Sequence, residues 1–174
     1  MGLKRVLKRV LIGVVDVSAA IFARRSERPL SGPPLHPWHT FVPAELHESD
    51  LDAADWPRYL VLEGAIFESV RAEVSQKLDP DERVPINRYF EESPVYPARF
   101  AQNWNRSYVM EPDGKPIGAV VLLHGLTDSP YSLRHIAKLY RDRGFVAIGI
   151  RLPGHGTVPG GLSKVRWEDW MAAT

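Results

Sequence analysis

Gly118-Ala119-Val120-Val121-Leu122-Leu123-His124-Gly125-Leu126-Thr127-Asp128-Ser129-Pro130 is the stretch whose reading decides the fold. Its apolar run, Ala119 to Leu123, stops abruptly at His124-Gly125, and a helical pattern begins near Tyr131. So short a run, closed by a glycine, reads as a strand buried on both faces of a parallel sheet that carries helices on each side. Ligand chemistry in such sheets gathers beyond the carboxyl ends of the strands, where His124, Gly125 and Leu126 fall. Gly125 is expected to let the backbone turn sharply and to leave no side chain in the way. The amide of Leu126 then points outward as a fixed donor, the kind of group that stabilises an oxyanion forming in a transition state.

The pattern around this stretch agrees. Ser129 and Pro130 read as the cap and first position of a helix whose buried face is Leu133, Ile136, Ala137 and Tyr140. Gly144 stops that helix. Phe145 to Ile150 is a second buried strand, so the unit is strand, helix, strand. Arg151 to Gly161 is a Gly/Pro-rich loop on the same rim as His124, and another helix starts at Trp167. Ahead of them, Arg106 to Glu111 reads as a strand. The Asp113-Gly114 turn suggests that it pairs with Ala119–Leu123 as a hairpin or near-hairpin.

Three blocks now stand in order: His124-Gly125-Leu126-Thr127-Asp128-Ser129-Pro130, then Arg151-Leu152-Pro153-Gly154-His155-Gly156-Thr157, then Trp167-Glu168-Asp169-Trp170. Together they resemble the amino-terminal half of an α/β-hydrolase, in the serine aminopeptidase-like and monoacylglycerol lipase-like branch that includes many bacterial carboxylesterases. The resemblance covers about residues 106–174. It implies a mostly parallel sheet with helices on both faces, and acyl transfer to water through a serine nucleophile. It implies the backbone N–H of Leu126 as one oxyanion donor, with the second coming from the residue after the nucleophile. It also implies that His124 and His155 are structural residues of the rim rather than the catalytic base, which comes late in such chains.

No Gly-x-Ser-x-Gly elbow occurs in the 174 residues. Ser129, Ser132 and Ser163 read as caps or surface hydroxyls, and neither the acid nor the base of a triad is identifiable. The expectation is a first portion of a longer enzyme, inactive by itself, with an elbow about 20 to 30 residues beyond Thr174. Two alternatives stay open. One is a relative with an aspartate nucleophile, such as a dehalogenase. The other is a non-catalytic, membrane-tethered binding module that keeps the first half of the fold. The substrate is a small-molecule ester or a peptide, and the sequence does not choose between them.

The remainder reads as extension. Residues 1–25 carry Lys4, Arg5, Lys8 and Arg9 ahead of an apolar stretch, the layout of a secretory signal or signal anchor. Asp16 argues against a clean transmembrane span. A helix lying on an anionic membrane and a plain soluble helix are the other readings. Location at a membrane or export is expected over a cytoplasmic place. Residues 26–104 form a proline-rich and helical extension, and residues 105–174 the truncated core. In the extension, Asp55 to Leu78 is the clearest helix, capped by Asp55, with Tyr59, Leu60, Leu62, Ile66, Phe67, Val70 and Val74 inward and Glu63 among the residues facing water. His36 and His39 lack a third ligand at a useful offset, so they read as packing rather than metal.

Composition bounds the rest. The 44% hydrophobic and 25% charged fractions are those of a globular protein, and a net charge of +1 gives no reason to expect nucleic acid. With no cysteine there are no disulfides or thiolate metal sites. The phosphate-binding loop, the dinucleotide glycine fingerprint and His-Glu-x-x-His are missing, so no cofactor and no metal are expected.

Overall fold

The computed structural model describes residue 13, residues 15–25 and residues 34–174. The chain divides into two units, Met1–Leu35 and His36–Thr174. In the first, residues 15–25 are helical. The basic start of the expected signal anchor and most of the proline-rich stretch lie outside the described residues. Among the described residues, no helix is long and apolar enough to cross a membrane.

The second unit is built on a three-stranded sheet: β1 (Tyr108–Met110), β2 (Gly118–Leu123) and β3 (Phe145–Ile150), in the order β1-β3-β2. β3 is central. It pairs in parallel with β2, Val120 opposite Ala147 and Leu122 opposite Gly149, and antiparallel with β1, Tyr108 opposite Gly149. The expected β1–β2 hairpin therefore does not form. Gly114 does adopt a positive φ of 95°, so a turn is present, but β3 takes the position between the two strands. Its small Ala147 and Gly149 let the Tyr108 ring lie across it: a Cβ at Gly149 would stand 2.3 Å from that ring.

Register sorts the side chains by face. Tyr108, Met110, Val120, Leu122 and Ala147 share one core cluster with Ala137 of helix α2 (Arg134–Arg141), so α2 covers this face. On the other face Val109, Val121 and Leu123 are 39%, 47% and 52% exposed. β2 thus alternates between half-buried and exposed residues rather than being buried on both faces; among the described residues, helices reach the second face only at Ile150 of β3, which packs with Tyr59, Ile66 and Ala173. α2 buries Ala137 fully but leaves Ile136 and Tyr140 exposed, narrowing its expected apolar face to one residue width. The helix before it is a 3₁₀ turn, Pro130–Leu133, and Ser129 does not cap it with its side chain.

Helix α1 (Trp56–Glu73) is the main element of the extension. Asp55 caps it by accepting from Arg58 N–H at 2.9 Å, and Pro57 sits in the first turn. Tyr59, Ile66 and Val70 are buried at helical spacing, as expected, but so is Glu63. The expectation that Glu63 faces water fails because the residue occupies the buried stripe, where Ser107 and Arg106 satisfy its carboxylate. Tyr59 and Ile66 pack with Leu46, Leu51, Ile150, Leu152 and Ala173, so extension and sheet share a core. A further cluster joins Val70 and Val74 to Val158. Helix α3 (Trp167–Ala172) is pinned by Asp169, whose buried carboxylate accepts from Arg166 N–H at 2.8 Å and Glu48 N–H at 2.9 Å.

Candidate active site

The loops that leave the carboxyl ends of β2 and β3 meet on one rim. His124 is the last group of the β2 run and is buried. Its Nε2 accepts from Leu152 N–H at 3.1 Å, so the ring proton sits on Nδ1, which donates to Gly125 C=O at 3.0 Å. Both nitrogens are thereby engaged with backbone, one from each loop. Burial lowers the His124 pKa, with the neighbouring His155 and Arg151 adding to the effect. The Gly125 carbonyl and Asp128 oppose it. The imidazole is therefore neutral, as its two bonds require.

His155 lies across from it, with ring centres 4.8 Å apart and planes inclined at 63°. Its Nε2 faces Leu126 C=O at 3.0 Å, and its Nδ1 faces Pro153 C=O at 3.0 Å. The carbonyl side of the Leu126 residue is thus held by a buried ring. Its N–H is not: among the described residues that amide donates no hydrogen bond, and Leu126 is 64% exposed. The turn beyond is closed by Asp128 N–H donating to Gly125 C=O at 3.1 Å. A cleft of about 520 Å³ opens here, lined by Leu126, Thr127, Asp128, His155 and Thr157 among others.

Gly125 does not have a positive φ, and a Cβ built there meets nothing within 4 Å. The sharp turn expected of it is made elsewhere on the rim. Gly154 and Gly156, with φ of 84° and 74°, bend the β3 loop, and Gly156 lies so near the Asn105 carbonyl that a Cβ would come within 2.7 Å of that oxygen.

Sequence reasoning missed what anchors this rim. Arg151, fully buried, donates from Nε to His155 C=O at 2.6 Å and from Nη2 to Glu45 at 2.6 Å, while its N–H donates to Ser107 Oγ at 2.8 Å. Tyr59 O–H donates to the Arg151 carbonyl. The only signal in the sequence was an arginine placed directly after a buried strand. Ser129 Oγ donates to Asn105 Oδ1 at 2.9 Å, Ser132 Oγ to Ser129 C=O and Ser163 Oγ to Gly160 C=O. Among the described residues no serine hydroxyl is bonded to an imidazole, and no group of three or more His, Asp or Glu side chains is arranged to hold a metal.

No family model matches the chain. A stretch of 58 residues is 38% identical to a thermostable monoacylglycerol lipase of Bacillus sp. (strain H-257). In part, this chain is α/β-hydrolase-like. The match takes in 33% of this chain and 23% of the lipase, so the α/β-hydrolase-like part spans under a quarter of that relative. Among solved structures, one from work on LipS and LipT, two metagenome-derived lipolytic enzymes, is 33% identical, with 40% of this chain and 27% of that one covered and a TM-score of 0.36.

Proposed function

We propose that residues 105–174 form the oxyanion-binding rim of a serine hydrolase that acts on carboxylic esters. The observation that carries the reading is the Leu126 amide. It follows the carboxyl end of β2, donates to no other described group, and belongs to an exposed residue that lines a cleft. A backbone donor of this kind contributes when it lies about 3 Å from the oxygen that becomes charged as water or a serine adds to an acyl carbon. His124 and His155 hold the loops on either side, so the donor is fixed before a substrate arrives. Kinship with a monoacylglycerol lipase over 58 residues favours an ester over a peptide. The basic, apolar start would suit work at a membrane surface.

The nucleophile of this proposal lies outside the 174 residues. Two measurements test it. Purified chain, offered a nitrophenyl acyl ester, is expected to turn over no more than a heat-killed control. Coding DNA read past codon 174 is expected to run on into Gly-x-Ser-x-Gly. Turnover by the chain itself would remove the need for an outside serine. An aspartate at the elbow, or a reading frame that closes at that codon, would overturn the serine-hydrolase reading.

A further inference from the structure

Beside the cleft at Leu126 lies a second one, of about 380 Å³, between α1, the turn-rich residues 88–103 and the Gly156–Thr157 step. Phe67, Tyr89, Tyr96 and Phe100 give it aromatic walls. Arg88, Tyr89, Gly156 and Thr157 line both clefts, so the two share a wall.

Three arginines and Glu68 border this second cleft. Arg71 is neutralised by Glu68 at 3.0 Å and Glu91 at 2.9 Å, and Arg106 by Glu63 at 3.2 Å. Arg88 differs. Among the described residues it makes no hydrogen bond and no ion pair, and its guanidinium lies 5.6 Å from the centre of the Tyr89 ring. An unpaired guanidinium at the edge of the cleft, with aromatic surface behind it, matches a molecule with one anionic end and an apolar body.

We propose that the second cleft binds a carboxylate-bearing amphiphile. The carboxylate pairs with the planar fork of Arg88, and the apolar body lies against Phe67, Tyr96 and Phe100. One guanidinium balances a singly charged carboxylate and leaves a dianionic phosphate half neutralised. The link to catalysis rests on the ester-hydrolase reading: the ligand has the chemistry of the acid that ester hydrolysis releases, held one step from the Leu126 rim. Binding itself needs no nucleophile, so the two readings fail separately.

Titration calorimetry on the 174-residue chain tests the proposal, with octanoate, octan-1-ol and octyl phosphate as ligands. Octanoate is expected to bind at least tenfold more tightly than octan-1-ol. Arg88→Ala should erase that preference while leaving octan-1-ol affinity unchanged. Phe100→Ser should weaken both ligands. Circular dichroism checks the fold of each variant. Should Arg88→Ala fail to fold, Arg88→Lys should weaken octanoate selectively, since it keeps the charge but not the fork. Equal binding of acid and alcohol, a preference that survives loss of Arg88, tighter binding of octyl phosphate, or no binding of either C8 ligand would each overturn it.

Discussion

Gly125 and Gly156 look alike in the sequence, each following a histidine on the rim, yet their surroundings differ completely. Gly125 has an ordinary φ and empty space where a Cβ would go, whereas Gly156 has φ of 74° and the Asn105 carbonyl 2.7 Å from that position. Gly125→Ala is therefore expected to change stability by less than about 0.5 kcal/mol. Gly156→Ala should cost about 2 kcal/mol or more, from left-handed backbone and from the clash. Urea midpoints of the two variants check this, and equal midpoints would contradict it. The position of His124 at a strand end was legible from the apolar run before it. The occupation of both its nitrogens was not, because one partner, Leu152 N–H, comes from a loop 28 residues later. Hydrogen bonds between distant loops leave no periodic trace in a sequence.

At the scale of elements, α1 shows what a pattern reveals and conceals. Its apolar stripe gave the helix and its inward face, since spacing of three and four residues is a local property. Glu63 sits on that stripe yet reads as solvated in the sequence, because a carboxylate in an apolar register can be placed only once its partners are known. Those partners are Ser107 N–H at 2.9 Å, Ser107 Oγ at 2.8 Å and Arg106 at 3.2 Å, and Ser107 Oγ in turn accepts from Arg151 N–H. The carboxylate thus ties α1 to the ends of β1 and β3. Glu63→Ala strands the Ser107 donors in the interior and is expected to destabilise the fold by about 2 kcal/mol, with Arg106 softening the loss by reaching water. Thermal unfolding of this variant is the check, and a midpoint within a degree of the parent would refute the tie. Pairing of β1 with β3 rather than β2 has a similar origin. The Asp113-Gly114 turn is a local signal, whereas the central place of β3 comes from pairing on both its edges.

For the whole molecule, titration should appear as two losses on acidification. His124 has its pKa lowered from 6.5 by burial, so between that depressed value and 6.5 the unfolded chain binds more protons than the folded one. Stability is then full above pH 6.5 and falls as the pH drops below it. Asp169 behaves as a second group. Burial pushes its pKa up, but hydrogen bonds from Arg166 and Glu48 N–H and from His47 outweigh this, so the net shift is down from 3.8. Its contribution is present above pH 3.8 and is lost as pH falls through the lower folded value. Urea midpoints measured from pH 8 to pH 3 should show both losses, and His124→Gln should flatten the first while sparing the second. An unchanged upper slope in that variant would show that another group is responsible.

The buried pair of Arg151 and Glu45 joins positions 106 residues apart. On a ribosome, Glu45 and the first turns of α1 emerge long before Arg151 is made. Until then Tyr59, Ile66 and Val70 have only part of their core, Leu46, Leu51 and Tyr89 among it, because Ile150, Leu152 and Val158 do not yet exist. Between completion of α1 and the arrival of Ile150, nascent chains of this protein therefore carry a helix face that is partly uncovered, the kind of surface a holding chaperone shields.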